Sequence, residues 1–160
     1  MKKIHMVVLL LALVLLCSCT PNSPAKESLT LSLAYRGVDL TVGMPADEAL
    51  AALGDDYTMT EAESCAGQGV DRMYTYPSVR LYVFAPTVGE AVISSVSYTD
   101  DGVQTADGLH IGSAASDVIA AMGQPDDEND ARLVYRCADA ALTFGLRDGV
   151  VVSIVLAGES

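Results

Sequence analysis

The hydrophobic positions of this chain recur at two spacings, which predict two short helices and a set of strands. In residues 46–53 and 115–122, apolar side chains lie three or four positions apart, as on one face of a helix. Gly54 and Gly123 follow directly, where a glycine commonly ends a helix. The two stripes consist of Ala46, Ala49, Leu50 and Leu53, and of Ala115, Val118, Ile119 and Met122. We therefore predict one helix in each half of the chain.

Segments rich in Val, Ile and Tyr follow each helix and predict β-strands. They cover residues 72–76, 79–84 and 91–98 in the first half, and 133–137, 140–146 and 150–156 in the second. Asp148 and Gly149 are a typical hairpin turn between the last two. An opening strand is predicted in residues 29–35, where large apolar residues alternate. The acidic stretches between each helix and its first strand show no regular period.

The two halves resemble each other. Residues 40–54 align without gaps on residues 109–123, with six of fifteen positions identical. We predict an α+β fold of two tandem repeats, each a helix plus an antiparallel three-stranded meander, with the helices packed on one face of the sheet. Strand pairing across residues 99–108 is not encoded locally, so one continuous sheet and two separate sheets both fit the pattern.

The N-terminus has the form of a signal peptide. Lys2 and Lys3 precede an apolar run of eleven residues, 6–16, which is too short to span a bilayer. The following residues Leu16-Cys17-Ser18-Cys19 resemble the lipobox of bacterial lipoproteins, and this resemblance implies cleavage before a lipidated Cys19. The alternative is an ordinary secretory signal. The predicted divisions are a lipoprotein signal peptide (1–18), a tether (19–28), the first repeat (29–98), a joint (99–108) and the second repeat (109–158).

Charge narrows the possible partners. The 160 residues include 9 Lys and Arg against 21 Asp and Glu, for a formal net charge of −12. Nucleic acid is excluded as a partner, because phosphate binding needs clustered basic residues. An acidic body also disfavours electrostatic docking on anionic lipid, so attachment to the extracytoplasmic face of the cell membrane would depend on the lipid anchor.

The motif that begins each repeat carries a family resemblance. Val42-Gly43-Met44-Pro45 through Leu53-Gly54, echoed by Ile111-Gly112 through Met122-Gly123, resembles the motif of the BamE/SmpA/OmlA lipoproteins and of the tandem repeats of β-lactamase inhibitory protein. The resemblance implies a non-enzymatic scaffold that binds another extracytoplasmic or envelope protein. The same resemblance also allows an alternative function, in which the protein inhibits a secreted hydrolase.

Two cysteines remain in the mature chain, Cys65 and Cys137. An even number of cysteines in an oxidising compartment indicates a disulfide, which here would join the two halves of the chain. Two free thiols or a metal site are the alternatives. Zinc needs more ligands than two cysteines and the one mature histidine, His110, so no metal or other cofactor is predicted. His110 has no accompanying nucleophile motif, and we predict no enzyme. The acidic run 126–130 leaves a small-ligand or calcium-binding lipoprotein as a further alternative.

A candidate contact surface comes from the strand at residues 79–84. Its alternation places Val79, Leu81 and Val83 on one face and Arg80, Tyr82 and Phe84 on the other. Tyr and Arg are enriched where proteins bind each other. We therefore predict Arg80 and Tyr82 as partner-contacting residues.

Overall fold

The computed structural model describes residues 30–65 and 67–159. The predicted signal peptide, the lipidated Cys19 and the tether lie outside the described residues. The described chain forms two helices, α1 (Ala46–Leu53) and α2 (Ala115–Met122), and ten strands. The strands are β1 (Leu33–Tyr35), β2 (Val38–Leu40), β3 (Thr58–Glu63), β4 (Gly69–Thr75), β5 (Val79–Pro86), β6 (Val92–Tyr98), β7 (Asp127–Asn129), β8 (Arg132–Cys137), β9 (Ala140–Arg147) and β10 (Val150–Gly158).

Eight of the strands form one antiparallel sheet, and β1 and β2 form a separate hairpin. The strand order in the sheet is β3-β4-β5-β6-β10-β9-β8-β7. Strands β6 and β10 pair at its centre, with Ser97 opposite Val155. The two halves of the chain therefore share one continuous sheet.

The predicted fold class was wrong. The chain is mostly antiparallel β, and each helix is followed by four strands, so the predicted unit of a helix and three strands does not occur. The additional strands β3 and β7 are the two edges of the sheet, and the hairpin partner β2 was also missed. All six residues of β3 are exposed. A strand with no buried side chain has no alternation to detect, because period-two alternation arises where only one face of a strand is buried.

One face of the sheet packs on the helices and the hairpin to form the core. Alternate residues of the central strands, such as Leu81, Phe144 and Ile154, are fully buried on this face. Leu33 of the hairpin and Ala49 of α1 belong to the same cluster. Period-two alternation in the strands and the apolar stripe of the helix thus meet in a single core.

The same backbone contacts hold the start of each helix to the sheet. The Gly43 N–H donates to the Ile93 carbonyl at 2.8 Å, and the Gly112 N–H donates to the Val151 carbonyl at 2.8 Å. Both glycines have positive φ, +80° and +106°, which a residue with a Cβ rarely adopts. The identical positions of the two glycines therefore serve the same turn into a helix.

A tyrosine hydroxyl donates a hydrogen bond to the carbonyl at the end of each helix, from Tyr76 directly after β4 and from Tyr135 within β8. Tyr76 donates to the Gly54 carbonyl and Tyr135 donates to the Gly123 carbonyl, each at 3.0 Å. Burial raises the pKa of Tyr76 to about 12 and also raises the pKa of Tyr135. Both phenols therefore stay neutral and keep donating at physiological pH.

Tyr98 connects β6 to the hairpin and to the segment between the two halves. Its hydroxyl lies 2.7 Å from the Ala34 carbonyl oxygen and 3.1 Å from the Gln104 carbonyl oxygen. Burial raises the pKa of Tyr98 to about 12, well above the ordinary value of 10.0. Since the folded state holds this proton more tightly than the unfolded state, the stabilising effect is complete below pH 10 and disappears as pH rises towards 12.

We expect the free energy of unfolding to fall by about 1 to 2 kcal/mol through this pH window on account of Tyr98, less than a fully enclosed phenol would give. The Tyr98→Phe variant should lose about 0.5 to 1.5 kcal/mol at pH 7 and show a flatter decline above pH 10. Urea unfolding between pH 7 and 12 measures both effects. Tyr82→Phe, which removes a surface hydroxyl, is the matched control. Equal slopes for Tyr98→Phe and the wild type would contradict the assignment.

Within the described part of the chain, no helix combines the length and the apolar character needed to cross a bilayer.

Candidate functional site

The face of the sheet opposite the core, which we call the open face, is the candidate binding surface. Pairing of neighbouring strands aligns one row of residues across all eight strands. In sheet order the row is Thr58, Thr75, Arg80, Ser97, Val155, Thr143, Val134 and Asp127. None of these residues belongs to the hydrophobic core cluster, although Val134 itself is buried. Along the inner strands these residues alternate with the core residues Leu81, Tyr98, Ile154 and Phe144, so the row lies on the face opposite the helices and the hairpin.

Small side chains dominate the middle of the open face. A second row runs next to the row that contains Arg80. It begins at Tyr82 and continues across the paired strands through Ser95, Ala157 and Ala141. Eight strands spaced about 4.8 Å apart and about seven residues long give a face of about 34 Å by 23 Å, or roughly 800 Å². One partner contributes about this area to a protein interface of standard size. The open face is thus broad enough for a folded protein.

Arg80 is the charged residue near the middle of this face. Among the described residues, four other arginines form ion pairs at 2.7 to 2.9 Å, namely Arg36, Arg72, Arg132 and Arg136. In the described part of the chain, Arg80 forms no ion pair with a carboxylate, and its buried Nε has no hydrogen-bond partner. A buried donor without an acceptor costs about 1 to 3 kcal/mol, and more on a charged group. The structure therefore leaves a cationic donor unused on its open face.

A shallow pocket of about 400 Å³ surrounds Arg80. It is lined by Arg80, Tyr82, Ser97, Tyr98, Thr99, Ser153 and Val155. Tyr82 is 38% exposed although its strand lies inside the sheet. The pocket combines one guanidinium, several hydroxyls and an exposed aromatic ring, which are groups that bind a polar or anionic side chain.

The predicted disulfide between Cys65 and Cys137 is absent from the structure, where both are free cysteines. Cys65 follows β3 and Cys137 ends β8, so six inter-strand steps separate them in the sheet. At about 4.8 Å a step, the path along the sheet is about 29 Å, against less than about 7 Å between the Cα atoms of a disulfide. The sequence could not reveal this separation, since cysteine counting carries no information on strand order.

The acidic run at residues 126–130 is already engaged in local contacts. Asp127 forms an ion pair with Arg132 at 2.8 Å, and the Asp126 carboxylate accepts the Arg136 backbone N–H. In the ranges 30–65 and 67–159, no cluster of three or more His, Cys, Asp or Glu side chains could hold a metal ion. Two of the four carboxylates in this run, those of Asp126 and Asp127, thus have partners within the fold.

His110 lies just before the turn into α2. Its Nδ1 is 2.9 Å from the Ile111 carbonyl oxygen, and its backbone N–H donates to the Ser113 hydroxyl. No ion pair joins it to a carboxylate among the residues that the structure describes. The contacts of its ring are those of a residue that stabilises the turn.

The alternation of β5 predicts the shared face of Arg80 and Tyr82 but not their neighbours from the second half of the chain. Ser153 and Val155 line the pocket because β10 pairs with β6, which in turn pairs with β5. Alternation along β10 places Ser153 and Val155 on the open face, whereas Ile154 and Leu156 are buried on the core face of the same strand. The adjacency of β6 and β10 has no local signal.

Comparison with protein-family models, with curated proteins and with solved structures finds no match to this chain.

Proposed function

We propose that this protein is a lipid-anchored extracytoplasmic lipoprotein that works as a non-enzymatic binding scaffold, with the open face of its sheet taking another envelope protein. The observation that carries the proposal is the unpartnered Arg80 on a broad face that neither the helices nor the hairpin cover. Buried polar groups normally have hydrogen-bond partners, so the stability of the fold does not explain a buried charged donor without an acceptor.

The chemistry of the face also supports a protein partner. Arg and Tyr are over-represented in the residues that dominate binding energy, and those residues lie near the middle of an interface. Arg80 and Tyr82 lie on β5, next to the central pair of strands, and the serines and alanines around them leave room for side chains from a partner. The shallow pocket alone is too open to enclose a small ligand, which normally has most of its surface buried.

The lipid anchor fits this role because it holds the acidic body at the membrane without using the protein surface. The described residues contain twenty carboxylates and only six arginines. Anionic lipid would repel this excess of negative charge. Attachment through lipidated Cys19 would leave the open face free for another protein. Two or more acyl chains give stable anchoring, whereas one chain is marginal.

Photo-crosslinking in intact cells tests the proposal. A benzoylphenylalanine at Thr143 on the open face of the full-length protein should give a dominant adduct with one envelope protein. The same residue at Ala51, on the exposed side of α1, should give little or none of this adduct. Both positions are exposed or half-buried and lie outside the pocket, so the comparison isolates the face. An adduct pattern that is the same from both positions, or no protein adduct from Thr143, would overturn the proposal.

A further inference from the structure

We propose that the Arg80 pocket binds the side-chain carboxylate of an aspartate or glutamate projected by the protein that covers the open face. This inference rests on the proposed function and adds the chemistry of the contact at its centre. The guanidinium of Arg80 is the cation, and the hydroxyls of Ser97 and Ser153 line the same pocket.

The charge balance favours a carboxylate over other anions. Arg80 has no paired acid among the described residues, so covering it with an apolar partner would bury an uncompensated charge at a cost of several kcal/mol. One carboxylate neutralises one guanidinium. A phosphate dianion would leave excess negative charge beside a strongly acidic protein.

The state of the Arg80 Nε also favours a partner that uses both edges of the guanidinium. A carboxylate can accept from Nε and from one Nη at the same time, which gives a planar two-bond contact. Nε has no acceptor among the residues that the structure describes, so turning the guanidinium towards a partner breaks no hydrogen bond with them at this atom. Arg72 and Arg136, by contrast, already use Nε to bind Glu61 and Glu159.

The source of the carboxylate is a side chain and not a chain terminus. The pocket lies on the inner strands β5, β6 and β10, with at least two further strands on either side. A folded protein lying across this face can project a side chain into the middle of its footprint without ending its backbone there. This placement matches the central position of strong contacts in protein interfaces.

Arginine side-chain NMR of the full-length mature protein in detergent micelles tests the inference without a known partner. The probe is N-acetyl-glutamate N-methylamide, and its matched neutral control is N-acetyl-glutamine N-methylamide. We expect the Arg80 Nε–H resonance to shift saturably with the glutamate probe. The glutamine probe should bind at least about tenfold more weakly, because the contact loses its charge-assisted hydrogen bonds. The Nε–H resonances of Arg72 and Arg136 should stay in place.

The Arg80→Met variant identifies the resonance, because the Arg80 Nε–H signal should be absent from its spectrum. An Arg80 resonance that ignores the glutamate probe, or that responds equally to the glutamine probe, would overturn the inference. So would a response to inorganic phosphate with none to glutamate. A silent titration together with a protein adduct from Thr143 would leave the scaffold function standing. A positive titration without that adduct would leave the carboxylate pocket and remove the protein partner.

Discussion

Replacing Phe144 with alanine is expected to lower the free energy of unfolding by about 3 to 5 kcal/mol. Phe144 is 0% exposed, lies on the core face of β9 and contacts the Tyr135 ring edge to face at a centroid distance of 6.0 Å. The large cavity left by the ring would face the helices, where the fixed backbone of the sheet limits collapse. A domain of this size has a total stability of about 5 to 15 kcal/mol, so the variant should be close to unfolding at 37 °C.

Thr143→Ala is the matched control, because Thr143 is the preceding residue of the same strand but lies on the open face. We expect it to cost less than about 1 kcal/mol, within the range of strand-propensity effects. Urea unfolding of both variants gives the comparison. Similar losses for the two variants would mean that both faces of the sheet are packed, which contradicts the open face.

The elements that the sequence located are those whose side chains are buried on one side only. In β5, the alternation of Val79 and Leu81 with Arg80 and Tyr82 gives both the strand and the two faces. In α1, an apolar stripe ending at a glycine gives the helix and its end. Burial of one face requires apolar residues at a regular spacing, and this spacing can be recognised in the sequence without a structure.

The missed elements lack such a period. Strand β3 is exposed throughout, and β7 consists of three polar residues at the opposite edge. Strand β2 is three residues long, too short for alternation to be distinguished from chance. Because these strands were not predicted, the expected fold was a repeat of a helix and a three-stranded meander. The observed fold is a mainly antiparallel β architecture with one eight-stranded sheet.

The candidate site was predictable only in part for a related reason. Arg80 and Tyr82 are two positions apart on one strand, so their shared face follows from local geometry. Ser153 and Val155 are more than seventy residues further along the chain, and only the pairing of β6 with β10 brings them to the pocket. The lack of an acceptor for the Arg80 Nε depends on every neighbour, and no local pattern records it.

The second large expected effect concerns binding. A variant that combines Arg80→Glu with Tyr82→Ala should bind the partner at least about 30-fold more weakly, since truncating a central interface residue commonly costs about 2 kcal/mol or more. Both side chains are on the open face and contribute nothing to the core cluster, so the variant should keep the wild-type melting temperature within a few degrees. Reversing the charge at position 80 also adds repulsion against an acidic side chain of the partner.

Arg147→Glu is the control for charge alone. Arg147 is exposed at the end of β9 and, like Arg80, forms no ion pair with any described residue. It lies at the border of the sheet, where a charge contributes little to affinity. We expect this variant to bind within about threefold of the wild type, since a rim charge mainly alters association rate.

The most direct test of the scaffold function is the yield of the Thr143 photo-adduct in intact cells, measured for the wild type, the Arg80→Glu/Tyr82→Ala variant and Arg147→Glu at equal expression. The open-face account predicts one dominant protein adduct that is preserved in Arg147→Glu and almost lost in the double variant. An adduct that persists undiminished in the double variant, with its fold intact, would show that Arg80 and Tyr82 are not the centre of the binding surface.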